Sequence, residues 1–536
     1  MTAAPAMPLG PVRPRDNKWI VAVSVTFGTL MGAIDSSIVN VALSQIRGAV
    51  GATVQEITWI STGFAIATVM VMPLTAFFGR LFGQKNVYLF CLVLFVIGSA
   101  LCGIAWNLPS LIFFRALQGF GAGALQPTEQ AILRQTFPPK EQGTAMALFA
   151  MAVMVGPALG PTLGGYIVDN FHWSWIFFIN VPVGALGFFM VWRFVHEPED
   201  LKAIARKEAE KQRRHMDWAG IALLWTSLIC LQYVLEEGQA EDWFQSPTIV
   251  VLTLLALTAC AAFVVRELSA VAPAVNLRLF KDPVYTSGAL VSASVMAVMM
   301  SGMFLLPLFM QELLGLTAMQ SGMALMPRTL VMVAVMPIVG RYYARFPPWL
   351  VSGLGLLVSC YGQFTLSGLT LQSNAGHVTT AIMLQGVGMA MMMVPLQTVA
   401  LSTIPRHRLA DATGLTSLLR QVGGSIGIAA FATMLSRFGV QGREHLREHL
   451  IAERPQVLQR LAGTEAGLMA RGLDANTAHG VALRVLGGTA AREGMVLGFE
   501  KLFVVGAIAF LCVLPLILLL RAPKTGVAKP VHVELE

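Results

Sequence analysis

The chain has 536 residues, of which 55% are hydrophobic and only 12% charged, and a mean hydropathy of +0.67. Soluble globular domains carry about 25% charged residues, so the composition excludes that class and indicates an all-α polytopic membrane protein. The formal charge of +8 is spread along short segments rather than gathered on one domain, which argues against nucleic acid as a partner.

A helix needs roughly 20 apolar residues to cross the hydrocarbon. By that rule the chain offers about fourteen spans. They lie at 19–43, 54–78, 86–105, 109–133, 142–168, 173–195, 217–236, 247–265, 285–310, 319–340, 349–371, 377–402, 413–436 and 500–520. Residues 1–18 lack the apolar core of a cleavable signal, and the first run is long enough to stay as an anchor. With the N-terminus in the cytoplasm, the short outer loops hold Arg47 alone, while Lys and Arg collect on the inner side. The inner KAIARKEAEKQRR (202–214) and the wholly acidic outer EEGQAEDWFQ (236–245) show the same asymmetry. An even span number returns the C-terminal segment 521–536, with Arg521, Lys524 and Lys529, to the cytoplasm. Aromatics opening the sixth span (Phe171, Trp173, Trp175, Phe177) fit an interfacial belt.

The domain plan follows. Six spans occupy 19–195, a basic linker 196–216, two further spans 217–265, and six more 285–520. Within the last set, 437–499 is too long for a tight connection and reads as one or two amphipathic helices standing off the outer face. The six cysteines lie in apolar runs without a CxxC pair and read as small buried hydrophobes.

Few ionisable residues fall inside the spans: Asp35, Arg115, Glu129, Arg328 and Arg420. Each costs about 2.5–3.5 kcal/mol at a helix centre, so such residues face a bundle interior or a wet cavity and mark an ion or substrate path. The alternative is a structural pair, or, for the arginines, snorkelling. Asp35 on the outward-running first span and Arg115 on the inward-running fourth lie at similar depth by helical rise. Gln118, Ala122 and Glu129 share a face of the fourth span. Glu129, nearer the cytoplasm, is a candidate second proton site or cation contact, the alternative being a carboxylate that reaches the inner interface.

Small residues mark helix contacts. Ser24, Gly28, Gly32, Ser36 and Asn40 recur every fourth residue along the first span, a stripe expected to let another backbone approach, with Asp35 beside it. In the fifth span GPALGPTLGG places Gly156, Gly160 and Gly164 on one stripe and Pro157, Pro161 and Gly165 on its neighbour. The prolines bend the helix, useful where two half-bundles rock against each other.

In order, DSSIVNVAL (35–43), LIFFRALQGFGA (111–122), GPALGPTLGG (156–165), WSWIFFINVPVG (173–184) and RQVGGSIG (420–427) resemble the major facilitator superfamily, specifically its 14-span drug:proton antiporter branch (EmrB/QacA type). The resemblance implies two six-helix bundles with two inserted helices, rocking about a central cavity. It implies a role for Arg115 in proton coupling and associates the fifth-span motif with antiport. It also implies a periplasmic adaptor and outer-membrane channel in two-membrane bacteria, with 437–499 as a docking element. One departure stands out. The superfamily's inner loop reads close to GxLxDRxGRK, but 76–85 here reads AFFGRLFGQK. Arg80 replaces the usual Asp, which puts the usual charge lock of that loop in doubt.

HLREH (445–449) matches the zinc-peptidase pattern HxxEH, but no third ligand lies nearby and a solvated amphipathic helix is the reading. The run MAMMMVP (389–395) reads as core packing, with a pliant cavity wall as the alternative. No nucleotide or dinucleotide fingerprint appears, so no cofactor is expected and transport would not be driven by a nucleotide bound to this chain; the resemblance implies a proton gradient as the energy source. The expectation is a secondary transporter of the bacterial inner membrane, not an enzyme. It would export amphipathic drug-like compounds, cations among them, in exchange for protons, with Asp35 and Arg115 coupling the proton and Asn40, Gln118 and Glu129 as candidate cargo contacts. A dedicated exporter of a metabolite such as a siderophore, fatty acid or antibiotic is the alternative on the same scaffold.

Overall fold

The structure is a computed structural model. It describes residues 17–197, 202, 208–210, 212–213, 216–270, 272–342, 345–370, 375–450 and 454–518. Both terminal segments and most of the basic linker 196–216 therefore lie outside the described residues.

Among the described residues, fourteen helices are long and apolar enough to cross a membrane. Six build the first bundle: α1 Lys18–Val50, α2 Gln55–Phe82, α3 Gln84–Gly103, α4 Leu108–Thr136, α5 Gln142–Asn170 and α6 Trp175–Phe194. Two follow, α7 Trp218–Glu237 and α8 Pro247–Ser269. The second bundle holds α9 Pro283–Glu312, α10 Ala318–Tyr342, α11 Pro348–Leu366, α12 Ala375–Val399, α13 Leu409–His449 and α15 Ala475–Leu518, with the short α14 Pro455–Met469 between the last two. Helices are the form that satisfies backbone groups within a span, and the chain supplies the caps at their ends. Thr53 and Glu56 make a reciprocal capping box before α2, and Asn107 and Ser110 make another at α4. Gly51 closes α1 with a φ of 67°, a left-handed conformation that glycine adopts without penalty.

Apolar side chains also cover the outside. On α8, Val251, Leu254, Leu257 and Val265 are all exposed, which suits hydrocarbon and not water. Of the cysteines, Cys91, Cys102 and Cys230 are buried, whereas Cys260 and Cys512 are exposed. Phe171 and Trp175 are exposed at the start of α6, but Trp173 and Phe177 turn inward.

The fifth-span glycines pack inside their own bundle. A Cβ on Gly156 would fall 2.3 Å from that of Ala33, and one on Gly160 1.7 Å from Ser37 Oγ. Gly164 meets Ile38 in the same way. The neighbouring stripe faces the other bundle, with Pro161 against Gly322 and Gly165 against Met319. Gly160→Val is therefore expected to force α1 and α5 apart and cost about 1–3 kcal/mol or more. The check is a lower thermal midpoint of the detergent-solubilised protein, with recovery when Ser37→Gly is added.

The first-span stripe behaves differently from the packing expected of it. Ser24 and Gly28 are buried at one end, Gly28 beneath the Tyr88 hydroxyl. A Cβ on Gly32, however, would meet nothing within 4 Å, and Ser36 and Asn40 are exposed. Small residues permit close approach but do not compel it, and here half the stripe lines open space.

The inserted α7 lies across the seam between the bundles. Trp225 donates to Met70 O at 3.2 Å on one side, and Gln232 to Ser425 Oγ at 2.9 Å on the other. Segment 437–499 is largely a continuation of α13 and α15. These helices, 41 and 44 residues long, run on as an antiparallel pair joined through Gly439, Gly442, Gly494 and Gly498. At 1.5 Å per residue each reaches roughly 60 Å, about twice the hydrocarbon thickness. One separate amphipathic helix, α14, lies between them.

Candidate functional site

Helical rise sets the depth of Asp35 and Arg115; packing brings them into contact. Arg115 Nη1 donates to Asp35 Oδ2 at 2.6 Å and to Gln118 Oε1 at 2.7 Å. Gln118 Nε2 donates to Asp35 Oδ1 at 2.8 Å, as does Asn180 Nδ2 at 2.8 Å. Asn180 also donates to Ser99 Oγ at 3.0 Å, and Ser99 to Phe177 O. Arg115 Nε reaches Ile60 O at 3.4 Å, and its guanidinium carbon lies 4.2 Å from the Phe64 ring centre. Asp35 and Arg115 are 0% and 1% exposed.

A buried carboxylate is tolerable only when paired and hydrogen-bonded. Asp35 accepts from three donors on α4 and α6, and the network extends to Ile60 on α2 and Ser99 on α3. Neutralising this one group would release hydrogen bonds that tie α1 to two other helices. Asn180 and Ser99 belong to the network, yet a search for ionisable residues passes over them. The available signal was a lone Asn in the apolar WSWIFFINVPVG, the same kind of oddity as Asn40.

The remaining candidates are dispersed. Gln118 is buried within the Asp35 network. Asn40 is exposed and its Oδ1 accepts from Ser61. Glu129 is 0% exposed and accepts from Thr26 Oγ1 at 3.0 Å. It lies fourteen positions along α4 from Arg115, roughly 21 Å by helical rise. Arg328 contacts Met389 Sδ at 2.8 Å. Arg420 is buried and donates to Ser417 Oγ at 3.0 Å and Gln130 Oε1 at 3.4 Å. Met389, Met392 and Met393 are buried in a cluster that spans both bundles. Met393 also lines a pocket at the seam with Gln126, Met154, Met296, Gln397 and Arg420.

The seam is held at the face that carries the basic loops. Arg80 Nη1 meets Asp411 Oδ1 at 2.6 Å, Arg80 Nε donates to Gln212 Oε1 at 3.0 Å, and Nη2 reaches Ala274 O at 3.5 Å. Gln130 Nε2 donates to Gln397 Oε1 at 2.7 Å, and Ala76, Ala131 and Ala410 close up alongside. The doubt raised by Arg80 is thus answered by geometry. An interbundle charge contact exists, with the cation in the last turn of α2 and the carboxylate on α13. The turn from α2 into α3 is fixed as well: Glu197 accepts from Lys85 N at 2.6 Å, next to Gly83 with φ 88°. At His445, among the described residues, no group of three or more His, Cys, Asp or Glu is placed to hold a metal.

The comparisons agree on one family. The sequence signature of the Major Facilitator Superfamily matches residues 25–428. The fatty acid resistance protein FarB of Neisseria gonorrhoeae is 33% identical over 503 residues, covering 94% of this chain and 96% of that protein. The multidrug export protein EmrB of Escherichia coli (strain K12) is 32% identical over 506 residues, covering 94% and 95%. Among solved structures, the human organic anion transporter MFSD10 (TETRAN) aligns with a TM-score of 0.60 at 12% identity, covering 94% of this chain and 99% of that one. At that identity the likeness concerns the fold alone.

Proposed function

The chain belongs to the major facilitator superfamily, and on that premise we propose that it is a proton-driven efflux transporter exporting amphipathic compounds by alternating access. The observation that carries the reading is the fully buried Asp35–Arg115 pair, with its amide partners on α4 and α6. An intramembrane carboxylate is costly, and one that can be neutralised links proton binding to the packing of its bundle. In this reading Asp35 takes and gives up the proton and Arg115 holds the site in its absence. Glu129 is a second proton or cargo group, and Asn40 a contact on the open side. The basic face is cytoplasmic and the membrane is the bacterial inner membrane. The long α13–α15 pair would then project outward, where a periplasmic adaptor leading to an outer-membrane channel would dock. The similarity to a fatty acid resistance protein favours a second reading on the same scaffold, a dedicated exporter of fatty acids or a comparable endogenous metabolite.

The test is reconstitution of the full chain in proteoliposomes with an imposed pH gradient and an internal pH dye. The expected result is gradient-driven movement of amphipathic compounds, accompanied by counter-movement of protons and stopped by a protonophore. Transport that persists after the gradient is collapsed would contradict the reading.

A further inference from the structure

The second bundle carries buried cations without acids. From Pro283 to Arg443 the sequence holds only two carboxylates, Glu312 and Asp411. Glu312 ends α9 and is exposed, and Asp411 is engaged by Arg80. Arg420 nevertheless lies in the interior, 6% exposed, and no carboxylate pairs with it among the described residues. Its hydrogen bonds run to two neutral oxygens, Ser417 Oγ and Gln130 Oε1, and the Phe149 ring lies 5.9 Å away. Isolated buried charges are costly, and proteins pair them or place them where a ligand does so. Arg420 lines the seam pocket, and Met154, Met296 and Met393 supply much of its apolar wall.

We propose that this pocket is an organic-anion site in which Arg420 receives the acidic head group and the three methionines receive the apolar body. The proposal rests on the transporter reading and names its cargo class. Three features support it. A guanidinium offers a planar fork of donors matched to a carboxylate, and here only Nη2 is engaged among the described residues. Methionine walls adapt to varied apolar shapes. Third, the charges are divided between the bundles. The buried carboxylates Asp35 and Glu129 belong to the first, where Arg115 and Thr26 hold them. An anionic cargo would therefore not compete with protons for one group. Gln130 of α4 also donates to Gln397 of α12. An anion on Arg420 would displace Gln130 as acceptor and so act directly on a bond that closes the seam.

The experiment measures binding of decanoate, decan-1-ol and decyltrimethylammonium to the purified full chain in a neutral maltoside detergent, for the unaltered protein, Arg420→Gln and Arg420→Lys. The unaltered chain is expected to bind decanoate at least about tenfold tighter than either comparison probe. Arg420→Gln is expected to erase that preference and Arg420→Lys to retain part of it. Equal binding of all three probes by the unaltered chain overturns the proposal, whether or not the variants fold. So does a decanoate preference that survives in a folded Arg420→Gln protein, or chloride competing as strongly as decanoate. Gradient-driven transport of decanoate and decyltrimethylammonium at equal rates would retain the transporter and discard the anion site.

Discussion

Asp35→Asn is expected to abolish proton-driven export while the protein still reaches the membrane. The substitution removes the titratable group and also disturbs its surroundings. Asp35 Oδ1 and Oδ2 accept from Gln118, Asn180 and Arg115. An asparagine amide would turn an NH₂ group toward at least one of those donors. It would also leave the Arg115 guanidinium buried without a counter-charge, a loss of about 3–5 kcal/mol when one partner of a buried pair is removed. Lost transport in Asp35→Asn alone would therefore mix coupling with stability. Asp35→Asn combined with Arg115→Gln separates them, because both charges leave together. The double variant is expected to recover most of the thermal midpoint and none of the proton-driven export. Measurements are the unfolding midpoint in detergent and gradient-driven efflux in vesicles. Unaltered efflux in a membrane-inserted Asp35→Asn protein would falsify the assignment of Asp35 to the proton.

Reversing Arg80 to Asp is expected to open the seam at the basic face, and Asp411→Arg in the same chain to close it again. The pair is mostly buried, with side-chain exposures of 16% and 7%. Two facing carboxylates in that position would repel. Losing the pair costs about 3 kcal/mol, or roughly 100-fold in the ratio of closed to open forms. Ala410 is packed against Ala76 and Ala131 across the same seam. In a chain with its other cysteines replaced, Ala410→Cys would report opening through faster labelling by a polar maleimide. The expected order is slow labelling with the original pair, fast in either single reversal, and slow again in the double. Fast labelling in the double reversal would show that the contact is incidental to closure. Export should run the opposite way, retained with the original pair, lost in either single reversal and regained in the double, since a transporter held open to one side does not complete its cycle.

The two sites differ in how far the sequence foretold them. Asp35 and Arg115 were legible because a charge inside an apolar run stands out, and helical rise fixes its depth. Arg80 was legible only as a departure from a family pattern. Its partner lies 331 positions away, and nothing local to either residue announces the other. Asn180, 145 positions from Asp35, was hidden for a further reason: a neutral amide in an apolar span carries a weaker signal than a charge. The stripe of five small residues from Ser24 to Asn40 reads as a packing seam, but its outer half faces open space. Likewise the span ends near 436 and 500 were placed by hydropathy, whereas the helices run on together far past them.

By itself the sequence determined the number of membrane-crossing helices, the depth of each buried charge and the glycine–proline run that lets some neighbour approach α5 closely. These depend on composition along one axis, the membrane normal, where the cost of a polar group and the rise per residue are local quantities. The tertiary structure decided the rest: which side of a helix is covered, that Arg115 meets Asp35 with Asn180 as an additional donor, that Arg80 finds Asp411, that Gly160 of α5 meets α1, and that Arg420 has no carboxylate partner among the described residues. Rotation about a helix axis and the choice of neighbour come from packing between distant segments, and no local property of the chain encodes them.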